Sequence, residues 1–262
     1  GGFAGTEASR EERNATDNPT ILSGDLGTEG DSTDNAYHVI IPSAGSILDG
    51  FTIRDGNASE NFSDDRGQGG ALWAENVAFV VSNCTFTGHY AYQEGGAVYV
   101  NDSNATFTNC FFNNNLTGPT GDGGAIHANT SSVTFASCAF TGNQADFVGG
   151  AINSLNSQLV LSSSTFISNR SISSNGGGAI NVNGGSLNDS GSVFLSNKAT
   201  HQGGAIQWEG AGGGLVDSNF TKNENTAWNG GGAIYLKNAS PTISRCSFTG
   251  NLTKANTVGG AI

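Results

Sequence analysis

Basic residues are scarce in this chain. Ten Lys and Arg stand against twenty-two Asp and Glu, a formal net charge of −12. That balance speaks against nucleic acid and against anionic membranes, both of which attract clustered cations. No stretch approaches the ~18 apolar residues of a spanning helix, so this segment inserts in no membrane by that route. No signal peptide is visible. No window carries a sustained 3.6-residue apolar stripe. Leucine-rich repeats would be richer in Leu, and helical repeats would be longer and poorer in Gly. The four cysteines lack the spacing of a zinc site.

What the chain does have is repetition. Gly-Gly-Ala followed by Leu, Val or Ile occurs eight times, beginning at Gly69, Gly95, Gly123, Gly149, Gly177, Gly203, Gly231 and Gly259, 26 or 28 residues apart. In phase with it come Phe86, Phe112, Phe140, Phe166, Phe194, Phe220 and Phe248, each 17 residues after the start of its Gly-Gly pair. From Phe to the next pair the distance is 9 or 11 residues. One arc of the repeat is therefore fixed in length and the other accepts insertion, which is the behaviour of stacked coils with a packed side and a loop side. Short alternating apolar stretches such as Val133-Thr134-Phe135 and Leu159-Val160-Leu161, set among Asn, Ser, Gly and Thr, predict strands. The expectation is an all-β chain, a parallel β-helix with 26–28-residue turns. Residues 1–68 read as irregular first turns with acidic loops and 69–262 as regular turns, in one continuous domain.

Stacked turns place like positions above one another. The Phe residues then form an inner column of rings. Two residues before each stand Cys84, Cys110, Cys138, Ser164, Ser192, Ser218 and Cys246, which predicts a small buried slot. Three residues after the Phe come His89 and then Asn115, Asn143, Asn169, Asn197, Asn223 and Asn251. Asn there suits a tight left-handed corner and a ladder of amides bonded along the axis. The Gly pair predicts a corner of positive φ or close contact, with the following Ala against the interior.

The paired motifs GGA-(Ile/Leu/Val) and FxxN, as in Gly95-Gly96-Ala97-Val98 and Phe140-Thr141-Gly142-Asn143, resemble the repeat signature of the polymorphic outer membrane proteins of chlamydiae and of a wider group of right-handed β-helix repeat proteins on cell surfaces. The likeness covers 69–262, and the opening Gly1-Gly2-Phe3-Ala4-Gly5-Thr6-Glu7 and Pro19-Thr20-Ile21-Leu22-Ser23-Gly24-Asp25 are similar to the start of such domains. The resemblance implies a right-handed coil and a passenger or surface-exposed fibre, often adhesive; it does not imply a catalytic site. The start inside a motif and the stop at Ala261-Ile262 suggest a segment of a longer chain, or an end at which a second copy docks.

Thirteen Asn-x-Ser/Thr sequons, about twice the chance expectation, point to an extracellular or cell-surface glycoprotein, unless an Asn- and Ser-rich coil simply generates them. Asn101, Asn104, Asn129 and Asn238, in the turn after the Gly-Gly-Ala strand, are the expected N-glycan sites, with Asn57, Asn61 and Asn188 as further candidates. Asn115, Asn169 and Asn251 sit in the inward column and are expected to carry none. Cys84, Cys110 and Cys138 fall on adjacent turns, near enough for disulfides, with a buried thiol ladder as the alternative.

Candidate chemistry is thin. Arg54, Asp55, Asp64, Asp65 and Arg66 gather before the first Gly-Gly and are the best place for a polysaccharide lyase or hydrolase of the pectin-degrading type, against the alternative of a solvated loop. His38, His89, His127 and His201 lie on different arcs and are assigned no role. Asp25, Glu29, Asp31 and Asp34 alternate oxygen ligands in a manner suited to calcium, the one cofactor considered; a plain exposed loop is the alternative. Trp73, Tyr99, Trp208 and Tyr235 follow their Gly-Gly pairs at comparable distances and suggest an outer aromatic strip for glycans. The leading expectation is a structural or adhesive surface rod whose partners are N-linked glycans, a receptor or glycan, and its own neighbours in a filament. A polysaccharide-degrading enzyme and a glycan-binding module are the alternatives.

Overall fold

One turn of this sequence has too little apolar surface to bury alone; stacking supplies the rest. The computed structural model describes residues 1–15, 17–61, 65–227, 230–254 and 260–262. Among them, three sheets of nine, thirteen and eight strands run along a single solenoid. The strands pair in parallel one turn apart: Phe111–Asn113 lies between Thr85–Thr87 and Ala139–Thr141, with Phe112 level with Phe86 and Phe140. Strands that precede residue 69, such as Thr20–Ser23 and Phe51–Arg54, join the same nine-stranded sheet.

The turn that begins at Gly95 shows the order. Val98–Asn101 and Asn104–Thr108 belong to the large sheet, Phe111–Asn113 to the nine-stranded sheet and Leu116–Thr117 to the short one. Between them, Asp102, Asn109 and Asn114 bend the chain with φ of 46°, 54° and 53°. In two turns the large-sheet strands fuse into Ile152–Ser162 and Ile180–Ser190. The arc of variable length holds the strand of the eight-stranded sheet, two to six residues long, and the loop that leads to the next Gly pair.

The left-handed residue at the Phe corner is not the Asn of the column but the residue before it: Gly88, Asn114, Gly142, Ser168, Ser196, Lys222 and Gly250 all have positive φ. That residue turns the chain so that the Asn side chain can point inward, which corrects the expectation that the Asn itself makes the bend. The Gly pair is fixed by contact. A Cβ on Gly150 would lie 2.1 Å from the carbonyl oxygen of Gly178 on the next turn, and Gly96, Gly124, Gly178 and Gly204 meet the same obstacle. The Ala after each of the first seven pairs, from Ala71 to Ala233, is buried.

Inside, the Phe rings from Phe86 to Phe248 stack at 4.6–4.9 Å with interplanar angles of 0–8°. A second column, Val81, Phe107 and Phe135, lies beside it; its two rings meet the first edge-on, as between Phe135 and Phe140 at 80°, and Phe79, level with Ala105, meets Phe107 edge-on. Further along, that second column continues as Leu161, Asp189 and Leu215. Asp189 is buried and accepts hydrogen bonds from the hydroxyls of Ser192 and Ser218, the latter at 2.6 Å; burial pushes its carboxyl up from the usual range. The Cys/Ser slot also has its reason. Cys84, Cys138, Ser164 and Ser192 accept the backbone N–H of their counterparts one turn earlier, as from Cys110 to Cys138 Sγ at 3.5 Å and from Cys138 to Ser164 Oγ at 3.2 Å. Only a small side chain ending in an acceptor fits. The four cysteines are free thiols.

Trp208 does not belong to the outer aromatic strip. It sits level with Val182 and Leu236, fully buried, its Nε1 donating to Ala211 O at 3.1 Å. Five residues from its Gly pair, against four for the others, puts it on the opposite face of the strand.

Candidate functional site

Among the polar columns that run along the axis in the described residues, two stand out. In the inner one, each Asn Oδ1 from Asn143 onward accepts both the backbone N–H and the Nδ2 of the Asn one turn earlier, Asn115 Oδ1 accepts the His89 N–H, and each Nδ2 also reaches back to a Phe carbonyl. For Asn143 these bonds are 3.1 and 3.0 Å from Asn115 and 2.8 Å to Phe112 O. The pattern repeats through Asn169, Asn197 and Asn223 to Asn251. Every polar atom of those amides is used. His89 closes the series with other chemistry: its Nδ1 accepts the N–H of Gly56 and its Nε2 lies 3.0 Å from Ile53 O, the place a Phe carbonyl holds elsewhere. Nδ1 as acceptor and Nε2–H as donor fix a neutral tautomer, and burial pulls the imidazole pKa down to about 4.

The outer column lies on the large sheet, four residues beyond the first Gly of each pair. It reads Trp73, Tyr99, His127, Asn153, Asn181, Gln207, Tyr235, a different side chain at almost every turn. Over it folds the loop that ends each repeat. Glu94 and Asp122, each immediately before its Gly pair, are bridged on adjacent turns. His127, 2% exposed, approaches Glu94 with Nε2 to Oε2 at 3.8 Å and stacks on Tyr99 at 5.5 Å. The Nδ2 of Asn153 stands 3.2 Å from both Asp122 Oδ2 and His127 Nδ1. Gln68 donates to Glu94 at 3.3 Å, and the N–H of Val148 donates to Asp122 Oδ1 at 3.3 Å. One ligand atom each from Glu94, Asp122 and His127 lies within 4.8 Å of the others. Burial, opposed by the Val148 hydrogen bond and aided by the charge of Glu94, raises the Asp122 carboxyl to about 7. Burial lowers His127, and the charge of Glu94 partly offsets it.

The expected sites are placed as follows. Asp25, Asp31 and Asp34 turn their carboxylates to their own loop, accepting the N–H groups of Gly30, Thr33 and Thr28. Arg54 pairs with Asp55 at 3.1 Å, whereas Arg66 lies over the Tyr37 ring; Asp65 opens a short 3-10 turn and Asp64 lies outside the described residues. Asn61, Asn104, Asn188 and Asn238 are exposed and Asn57 is half-buried. Asn101 and Asn129 end their strands half-buried, joined by a 2.8 Å amide bond, rather than standing free in the turn. Asn115 and Asn169 are buried. Trp73 is half-buried, level with Tyr99 and 6.1 Å from His38.

The His127 cluster escaped the sequence reading because its members sit at two different phases of the repeat. A signal was present: acids at the position before the Gly pair in two consecutive copies, with a His four residues past the second pair's first Gly.

Among known proteins, neither the curated proteins nor the solved structures return a match. A family model described as a right handed beta helix region matches residues 39–219, more than half of the chain. With the stacked parallel turns already in view, the chain belongs to the right-handed β-helix family.

Proposed function

We propose that this chain is a non-enzymatic structural or adhesive rod of an extracellular or cell surface, of the polymorphic outer membrane protein type, carrying N-linked glycans. The observation that carries the reading is the contrast between its inside and outside. The amide ladder is unbroken from Asn115 to Asn251, and the side chains that face outward change from turn to turn. Such a coil gives a stiff scaffold whose exterior varies at little cost to the fold. Strand edges at the ends of the sheets, such as that of Ser247–Thr249, suit further turns of the same chain or end-to-end association into a filament.

Glycopeptide mapping of native material tests it. Glycan is expected at the exposed Asn61, Asn104, Asn188 and Asn238 and absent from the buried Asn115 and Asn169. Unmodified asparagine at all four exposed sites removes the glycoprotein reading. The polysaccharide-degrading alternative has one observation in its favour, Asp122 with its raised pKa beside Glu94 and His127. Cleavage of any acidic polysaccharide, lost in Asp122→Asn, would establish it over the rod.

A further inference from the structure

We propose that Glu94, Asp122 and His127 bind a divalent transition ion of the zinc class, and that Asn153 and Asn181 switch the hydrogen-bonding tautomer of His127 to admit it. Two carboxylates and a neutral imidazole match the charge and the nitrogen preference of such an ion, whereas calcium takes six to eight oxygens. Ligands on one tetrahedral ion stand ~3.4 Å apart. The three candidate atoms already lie within 4.8 Å, so small side-chain rotations close the set. The exposed side of Glu94, at 33%, leaves a fourth position open to water.

The surrounding amides supply an independent observation. As arranged, Asn153 presents its Nδ2 to Asp122 and His127 Nδ1, and its Oδ1 accepts from Asn181 Nδ2 at 2.7 Å. Two buried oxygens are then left with no partner: Asn181 Oδ1 and, on its register neighbour, Gln207 Oε1. Asn181 is only 5% exposed and Gln207 4%. Orphaned acceptors at that depth are costly.

An ion on Nε2 requires the Nδ1–H tautomer. Turning the Asn153 amide over presents Oδ1 to that N–H and Nδ2 to Asn181. Turning Asn181 over then points its oxygen at Asn153 Nδ2, which satisfies the first orphan. Asp122 loses the Asn153 donor and gains the cation. The ion-bound arrangement thus gives the buried Asn181 Oδ1 a donor, and it ties Glu94 to Asp122 and His127 across neighbouring turns.

The test uses the full chain stripped with a chelator. Calorimetric titration with Zn2+ is expected to give saturable uptake of one ion per chain, and nitrogen NMR of His127 to shift from the Nε2–H to the Nδ1–H tautomer on loading. Asp122→Asn and His127→Gln are expected to abolish that uptake. Asn153→Leu acts on a positioning residue and is expected to weaken it about 10–100-fold. Asp31→Asn, in the separate acidic loop, should leave it unchanged. Urea midpoints without metal check that each variant is folded. No saturable Zn2+ uptake overturns the proposal; so does uptake that survives His127→Gln, preference for Ca2+ over Zn2+, or a tautomer that stays Nε2–H in the loaded protein.

Discussion

The inner Asn column and the outer His127 column run along the same coil and follow opposite rules. The inner one repeats a single residue and uses each amide atom, the bonds lying between 2.8 and 3.1 Å. The outer one changes residue from Tyr99 to His127 to Asn153 and leaves Asn181 and Gln207 with orphaned oxygens. Burial alone does not separate them, since His127, Asn153 and Asn181 are nearly as covered as Asn143. The difference lies in what neighbouring turns demand. Where each turn completes the hydrogen bonds of the last, one residue type is fixed by its neighbours. Where the column faces loops of differing length, each turn is free to specialise, and unsatisfied polar atoms mark where it has done so.

The widest gap between the columns should appear on truncating one member of the ladder. Asn169→Ala removes the acceptor of Asn143 N–H and Nδ2 and the Nδ2 that donates to both Phe140 O and Asn197 Oδ1, all buried, while the backbone N–H to Asn197 Oδ1 remains. Orphans of this kind cost about 1–3 kcal/mol each, so the expected loss is about 4 kcal/mol or more in a urea titration. A shift below about 1 kcal/mol would show that the ladder decorates the core rather than holding it.

The second comparison lies within the inner column, where His89 replaces Asn. Its pKa falls from 6.5 to about 4 on folding, so protonation opposes the fold. The stability it secures is complete above pH 6.5 and drains away as pH falls toward 4, by up to about 3 kcal/mol. His89→Asn can offer Gly56 N–H an acceptor and Ile53 O a donor, as the other asparagines do for their counterparts. Melting curves across that pH range should show His89→Asn gaining on wild type as pH falls, the titrations of Asp122 and His127 being common to both. Equal slopes would mean that the acid sensitivity resides elsewhere.

How much of this was legible in the sequence follows from the same contrast. Phe86 to Phe248, the Cys/Ser slot, the Gly corner and the Asn ladder could all be read because stacking imposes one requirement at every turn, and periodicity displays it. The left-handed residue before each Asn was missed because Gly, Asn, Ser and Lys all fill it; the constraint there falls on φ, not on the side chain. The second column, in which only Phe107 and Phe135 are aromatic, was missed because Val81 precedes them and Leu161, Asp189 and Leu215 follow. Trp208 was misplaced by a one-residue phase shift that a strand converts into opposite faces. The cluster at Glu94, Asp122 and His127 was hidden because a site is singular, and a method that looks for repetition is blind to it.

The smallest expected effect is the most discriminating. Asn181→Ala deletes a buried amide, as Asn169→Ala does, yet one of its atoms already lacks a partner. The variant leaves Asn153 Oδ1 without a donor and at the same time removes an orphaned oxygen. These terms nearly offset, and the urea midpoint should move by less than about 1 kcal/mol. If the amide instead serves the switch at His127, affinity for Zn2+ should fall about tenfold while the fold holds. A destabilisation as large as that of Asn169→Ala would erase the distinction between the columns: Asn181 would then be a structural rung whose partner turns with it, and variation along the outer column would carry no functional meaning.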